Sequence, residues 1–316
     1  MNNRNLIYSV FAAALFAHSA HGIVIRDDLF NSDSFASPIT AVGQVLFGSS
    51  GCSGSLLSTG IHFLTAAHCV GSFSGTATVN LHNGSTSFSY TSTKIVVNPN
   101  FNSYSNGADL AVVTLNQVAD SSIQRLSLYT GSGELNQEVT FIGLGRQGVG
   151  SSGWSTGSFQ VTNGLLDRRQ GTNIVDSLLN NSVLFFDFDH PMEPNRSSLG
   201  QSSATAFEAI LAPGDSGGPV LINGQIAGVN SYISCLPGSL TTCSTTFDVN
   251  GVLNSSYGER WGASRVSIYT DWLNAQITQP TFDPVGVPEP STWAIIAGAF
   301  GAGIHRLRKS RGKAPC

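Results

Sequence analysis

The sequence predicts an all-β fold, and three observations predict it. Short apolar runs alternate with clusters of Gly, Ser, Asn and Pro; a 3.6-residue apolar period is almost nowhere sustained; and Asn223-Gly224 stands between two apolar runs. That dipeptide is the strongest short hairpin signal, because both central residues of a type I′ turn take positive φ. The expected strands, in order, are Ala41–Phe47, Ile61–Thr65, Thr76–Leu81, Thr93–Val97, Leu110–Leu115, Val139–Gly143, Val183–Phe188, Val220–Ile222 and Gln225–Val229. One helix is expected at about 268–278, where Ile268, Tyr269, Trp272 and Ile277 fall near one face and Pro280 marks the stop. From Gln279 the composition turns to Pro, Thr and Val, which suits an extended linker.

Composition narrows the function. The chain has 316 residues, 41% hydrophobic and 11% charged, with 35 glycines, too apolar for a disordered protein. Its net charge of −4 hides an asymmetry: residues 23–285 carry 9 basic and 18 acidic side chains, with Lys94 the single lysine there. Such a body has no basic stripe to displace counterions from a nucleic-acid backbone, so nucleic-acid binding is not expected.

The two ends read as addresses. Residues 1–22 open with Arg4, run apolar from Leu6 to Ala17 and end in small residues, the order of a secretory signal peptide. Cleavage fits after Ser19 or after Gly22. At the other end, Val287-Pro288-Glu289-Pro290-Ser291-Thr292 leads into the uncharged stretch Trp293–Ile304, followed by the basic group His305–Lys313. A twelve-residue stretch reaches about 18 Å as a helix, short of the roughly 30 Å hydrocarbon core. The trailing positive charge predicts a cytoplasmic end. The tail over 287–313 resembles the bacterial PEP-CTERM sorting signals, which implies an exosortase-like processing enzyme after the signal peptidase. The expected location is therefore outside the cytoplasm of a bacterium, secreted or surface-associated, with transient retention at the inner membrane. The tail is expected to be cut near Pro288–Pro290, with loss of Cys316. Export permits disulfides among Cys52, Cys69, Cys235 and Cys243.

Three motifs carry chemistry, in the order His, Asp, Ser. They are Thr65-Ala66-Ala67-His68-Cys69, Asp109 at the mouth of the run Leu110–Leu115, and Gly214-Asp215-Ser216-Gly217-Gly218-Pro219. A serine hydroxyl needs a base to take its proton as it attacks a carbonyl, imidazole has the pKa for that, and a carboxylate can hold the imidazole's other nitrogen. Taken together the motifs resemble the trypsin/chymotrypsin-like serine peptidases from about Ala41 to Ile277. The resemblance implies two six-stranded antiparallel β-barrels, a first over about 37–135 and a second over about 136–265, with the active site between them. It implies an endopeptidase acting through an acyl-enzyme: His68 as base, Asp109 as its partner, Ser216 as nucleophile, and the N–H groups of Gly214 and Ser216 as the oxyanion hole. It further implies a Cys52–Cys69 bridge anchoring the histidine loop, while Cys235 and Cys243 would staple a loop after the nucleophile strand. Ala212, four before Ser216, departs from the cysteine common in animal members.

The motif around Ser216 also satisfies the G-x-S-x-G elbow of α/β-hydrolases. That fold needs a helix after the serine and a later histidine, whereas Gly217-Gly218-Pro219 opposes a helix and only His305 follows Ser216. For specificity, Ile210 takes the place six residues before the nucleophile where trypsin-like members carry an aspartate, with Ser231 and Tyr232 on the neighbouring wall. An apolar floor cannot solvate a buried cation, so cleavage after Lys or Arg is not expected and apolar side chains are. His62, His82 and His190 have no metal-ligand spacing, and Asp187 and Asp189 read as solvated, so no metal or cofactor is expected. Cleavage after Gly22 would expose Ile23-Val24, which in the family supplies an amine to the aspartate before the nucleophile, here Asp215. The partners expected are a protein or peptide substrate and the two processing enzymes, acting on a monomer. The rival function is a catalytically silent peptidase-like module serving in surface adhesion or matrix binding; the intact His68, Asp109 and Ser216 argue for the enzyme.

Overall fold

A computed structural model describes residues 22–29, 35–155, 159, 161–162, 164–200, 203–235 and 243–278. The proposed signal peptide up to residue 21 and the tail from 279 lie outside the described residues. Among the described residues no helix is long and apolar enough to cross a membrane.

In chain order the strands are β1 (Ile23–Ile25), β2 (Val42–Phe47), β3 (Ser50–Leu56), β4 (His62–Thr65), β5 (Thr78–His82), β6 (Ser87–Val97), β7 (Ala111–Leu115), β8 (Glu138–Gly143), β9 (Gln147–Val149) and β10 (Gly153–Trp154). There follow β11 (Val161–Thr162), β12 (Leu165–Leu166), β13 (Arg169–Ile174), β14 (Ser177–Leu179), β15 (Val183–Asp187), β16 (Ala209–Ile210), β17 (Pro219–Ile222), β18 (Gln225–Ser234) and β19 (Arg260–Arg265). The helices are α1 (Ala67–Val70) and α2 (Thr270–Ile277).

Six strands close a barrel in the order β2-β3-β4-β7-β6-β5. Alternation sends Val45, Phe63, Val79, Leu81 and Val113 inward, where each is fully buried. β3 carries no alternating apolar signal, since its sequence is Ser-Gly-Cys-Ser-Gly-Ser-Leu, and sequence pattern alone passes over it. Its glycine is a packing requirement: a Cβ on Gly54 would stand 2.2 Å from the Phe63 ring and 2.7 Å from the Leu64 carbonyl. The hairpin between β17 and β18 turns at Asn223 (φ 50°) and Gly224 (φ 76°), as the type I′ reading requires.

The all-β architecture is as expected, with one difference in the second half. Instead of a closed six-stranded ladder there is a curled seven-stranded sheet in the order β13-β8-β17-β18-β19-β15-β14. Its seam is bridged by a side chain: Asn173 Nδ2 on β13 donates to the Asp187 carbonyl at the end of β15, 2.7 Å, and to the Ala209 carbonyl, 3.3 Å. Inside the curl Trp261 stacks on Phe186 with centroids 3.9 Å apart and meets Phe141 at 4.7 Å. A small sheet, β10-β9-β1-β16, seats the buried Ile23-Val24-Ile25 segment beside the second sheet.

The C-terminal helix differs in detail. A 3-10 turn over Val266–Tyr269 precedes α2 and rotates Ile268 out to solvent, while Leu273, not singled out by the sequence pattern, is the fully buried anchor. Tyr269, Trp272 and Ile277 pack half-buried against the first barrel's core.

Candidate active site

The site forms where the ends of several strands meet. β4 hands the chain to α1, one turn whose Ala67, Cys69 and Val70 are buried, leaving His68 partly exposed. The Cys52–Cys69 disulfide, with Cα atoms 6.2 Å apart, ties that turn to β3. Just before β7, Asp109 is completely buried and holds His68 twice: its Oδ1 accepts the His68 backbone N–H at 2.8 Å and its Oδ2 lies 2.7 Å from His68 Nδ1. Ser231 Oγ donates to the same Oδ2 at 2.5 Å. A carboxylate only accepts, so Nδ1 carries the proton and Nε2 is left with its lone pair free. Tyr104 lays its ring against the His68 imidazole edge-on, centroids 5.3 Å apart, and also packs on Tyr232 at 5.9 Å.

Ser216 sits in the loop between β16 and β17, and four hydrogen bonds to two residues, Ser53 and Asn230, pin that loop. Ser53 N–H donates to the Ser216 carbonyl (2.8 Å), Ser53 Oγ to the Gly214 carbonyl (2.9 Å), Gly217 N–H to the Asn230 carbonyl (2.8 Å), and Asn230 N–H to the Gly218 carbonyl (2.9 Å). Gly214 takes φ 103° and Gly217 φ 85°, a region that residues with a Cβ resist. A Cβ on Gly217 would also stand 2.2 Å from the Ser53 carbonyl. Among the described residues no acceptor takes the N–H of Gly214 or of Ser216. Two adjacent backbone donors therefore stand unused beside a serine hydroxyl, a disposition suited to a developing oxyanion. His68 and Ser216 line one cleft, and no hydrogen bond joins their side chains.

Asp215 points the other way, into the interior. Its Oδ1 accepts the Gly145 N–H (2.6 Å) and its Oδ2 the Ala212 N–H (2.7 Å), and the Ile23 N–H donates to the same carboxyl. Gly143 and Gly145 make the room, since a Cβ on Gly143 would fall 2.0 Å from Oδ1. Burial pushes the Asp215 carboxyl up to about 7 against the pull of those three donors.

The cleft, about 260 Å³, has an apolar wall of Leu211, Ala212, Ile233 and Leu253, with Ser231 and Tyr232 beside it. Ile210 does not line it: the side chain is fully buried in β16, which pairs Ile210 with Val24 of β1. The apolar character expected of Ile210 comes from the next residues of the chain and from Leu253 on the loop before β19. Sequence reasoning missed Tyr104, Leu253, Ser53 and Asn230. Tyr104 had a faint signal, an aromatic residue in a polar loop five positions before Asp109; the others are recognisable only once distant strands are brought together.

The remaining groups fall elsewhere. His62 Nδ1 pairs with Thr59 Oγ1 at 2.9 Å, and burial, with Lys94 assisting, lowers its pKa. His82 is pushed down to about 4 by burial and by Arg168. His190 Nδ1 accepts the N–H groups of Met192 and Glu193. Asp187 and Asp189 are not solvated as the sequence suggested but 1% and 5% exposed, because the loop after β15 folds over them and donates the Ser198 and Leu199 N–H groups to Asp187 Oδ2. The second disulfide, Cys235–Cys243, has Cα atoms 4.6 Å apart.

No curated protein matches the chain. The family profile described as Trypsin matches residues 33–250, more than half of the chain and with His68, Asp109 and Ser216 all inside the match. Together with the closed barrel, the curled second sheet and the cleft at their strand ends, that match identifies the chain as a member of the trypsin family of serine peptidases.

Proposed function

We propose that this chain is an exported serine endopeptidase that cleaves peptide bonds through Ser216, His68 and Asp109. The single observation that carries the reading is the buried Asp109 carboxylate, which fixes the His68 tautomer through Nδ1 while Ser231 holds the carboxylate in turn. His68 Nε2 takes the Ser216 proton as Oγ attacks the substrate carbonyl, and the tetrahedral oxyanion is met by the N–H groups of Gly214 and Ser216. Protonated His68 then gives its proton to the leaving amine, an acyl-enzyme remains on Ser216, and water activated by His68 releases the acid. Losing one oxyanion donor in such a site costs about 2.7–4 kcal/mol. The cleft wall of Leu211, Ala212, Ile233 and Leu253 carries no acidic side chain and favours apolar residues over Lys or Arg.

The maturation reading has support around Ile23. This β-branched residue takes φ 59°, a costly conformation, and a Cβ on Gly22 would fall 2.6 Å from the Gly143 carbonyl. Both constraints vanish if the chain begins at Ile23, and the freed ammonium would replace the Ile23 amide N–H at Asp215. Signal-peptide removal after Gly22 would then be the activating cut. The C-terminal tail is read as a PEP-CTERM signal, removed near Pro288–Pro290 by an exosortase-like enzyme.

The test is hydrolysis of apolar peptide amides by the secreted protein. Ser216→Ala and His68→Ala should each lose at least about 10⁴-fold in kcat. Hydrolysis undiminished in Ser216→Ala, or a cleavage profile dominated by Lys and Arg, contradicts the reading.

A further inference from the structure

We infer that Cys235, Cys243, Asp248 and Glu259 make up a redox-gated site for a divalent cation of the zinc class. A sulfur of each cysteine and a carboxylate oxygen of each acid all lie within 4.8 Å of one another. Ligands at about 2.0–2.3 Å around one tetrahedral ion stand about 3.3–3.8 Å apart, so once the bridge opens the two sulfurs move apart to about that distance and the widest pairs of the cluster close by about 1 Å. Two thiolates with two carboxylate oxygens suit zinc better than calcium or magnesium, which take all-oxygen shells.

The carboxylates supply the second observation. Asp248 is 2% exposed; its Oδ1 accepts the Asn250 N–H (3.0 Å) and the Ser256 hydroxyl (2.9 Å), while its Oδ2 is buried with no partner at all. Glu259 is fully buried; its Oε1 accepts the N–H groups of Asn254 (2.7 Å) and Ser256 (3.1 Å) and the Ser256 hydroxyl (3.3 Å), while its Oε2 accepts the Ser255 N–H (2.9 Å) and keeps a lone pair for a metal. Among the described residues no basic side chain pairs with either acid. Arg196 reaches only the adjacent Phe247 carbonyl at 3.3 Å and spends its Nε on Glu193. Two buried, mutually repelling carboxyl groups without a cation are costly, and a divalent ion removes the repulsion.

While Cys235 and Cys243 are joined, the sulfurs cannot act as thiolates. A dithiol reductant converts the bridge into two thiols and is itself oxidised to a disulfide; the ion then displaces one proton from each thiol. The exchange has a structural consequence for the cleft. β18 runs from Ser231, Tyr232 and Ile233 straight to Cys235, and the loop after Cys243 carries Leu253, so the site ties together two parts of the cleft wall.

The experiment uses the exported chain with Ser216→Ala and with Cys52 and Cys69 replaced by alanine, so that the optical readout is independent of hydrolysis and of thiols freed beside His68. After reduction with a phosphine, Co²⁺ is titrated in and then displaced by Zn²⁺. The expected result is one Co²⁺ per chain with intense tetrahedral visible bands and a thiolate charge-transfer band, absent from the oxidised chain and abolished in Cys235→Ser/Cys243→Ser. Asp248→Asn should weaken binding by about tenfold or more, the loss that even outer-shell changes cause. A reduced chain that binds no Co²⁺, a spectrum that persists in the Cys235→Ser/Cys243→Ser variant, or an affinity untouched by both Asp248→Asn and Glu259→Gln overturns the proposal.

Discussion

Replacing Asp215 by alanine is expected to abolish activity while leaving the fold in place, and the size of the effect follows from its partners. Three buried N–H groups, those of Ile23, Gly145 and Ala212, share this carboxyl. Removing it strands all three, and each stranded buried donor costs about 1–3 kcal/mol, giving about 3–9 kcal/mol in total. Global stability need not bear the whole cost, because the loop Ala212–Ser216 can open and hydrate its donors instead. An open loop no longer holds the Gly214 and Ser216 N–H groups toward an oxyanion. Even the lower bound of about 3 kcal/mol corresponds to roughly a 150-fold loss if it falls on the active arrangement. The assay is kcat/KM on an apolar peptide amide, with near-ultraviolet circular dichroism confirming a folded chain. Asp215→Asn keeps one acceptor oxygen and should lose less. A folded Asp215→Ala enzyme within tenfold of the parent would refute the reasoning.

Other outcomes follow from single contacts. Ser231→Ala removes the donor to Asp109 Oδ2 and should lower kcat by about tenfold, the low end for a hydrogen bond to a charged group, while KM for a short substrate changes less. Replacing Cys52 and Cys69 by alanine opens a loop closed over a separation of 17 residues and should cost about 3 kcal/mol in urea unfolding of the Ser216→Ala chain. The buried carboxyls set the pH dependence. Burial, reinforced by Asp187, raises Asp176 to about 8 and Asp189 to about 7, and burial raises Glu259 to about 7. A carboxyl with a folded pKa above its unfolded value binds its proton more tightly when folded, so its stabilisation is complete below about pH 4 and is lost as pH rises through 7 to 8. Urea midpoints should therefore fall between pH 5.5 and pH 8.5, and Asp176→Asn should flatten the slope.

How much of this was legible beforehand depends on the kind of signal each element carries. Strands that carry short apolar runs, such as β2, β7 and β8, and the Asn223-Gly224 turn announce themselves, because burial concentrates Val, Ile, Leu and Phe there. β3 and β19 do not: apart from Leu56 and Trp261, Ser50–Leu56 and Arg260–Arg265 are built from small and polar residues whose place is set by what approaches them, the Phe63 ring at Gly54 and the Tyr232 ring at Gly262. His68, Asp109 and Ser216 stood out because their immediate neighbours form compact motifs. Ile210 was assigned to the cleft by its distance from Ser216 along the chain, yet its pairing with Val24 draws the side chain into the core. Asp187 and Asp189 read as solvated because the segment that reaches back to Asp187 with the Ser198 and Leu199 N–H groups shows no regular sequence pattern. Leu253 and Tyr104 reach the cleft from loops more than a hundred residues apart, a relation no local pattern carries.

The most direct test of the catalytic account is covalent labelling of the mature protein by a fluorophosphonate, followed by intact-mass measurement and peptide mapping. Fluorophosphonates react only with a serine whose hydroxyl is activated and whose oxyanion hole is formed, the two features assigned to His68 with Asp109 and to Gly214 with Ser216. The account predicts one adduct per chain, mapped to Ser216, with labelling lost in Ser216→Ala and strongly slowed in His68→Ala and Asp109→Ala. A folded, correctly processed chain that takes up no label, or takes it up equally after Ser216→Ala, would contradict it.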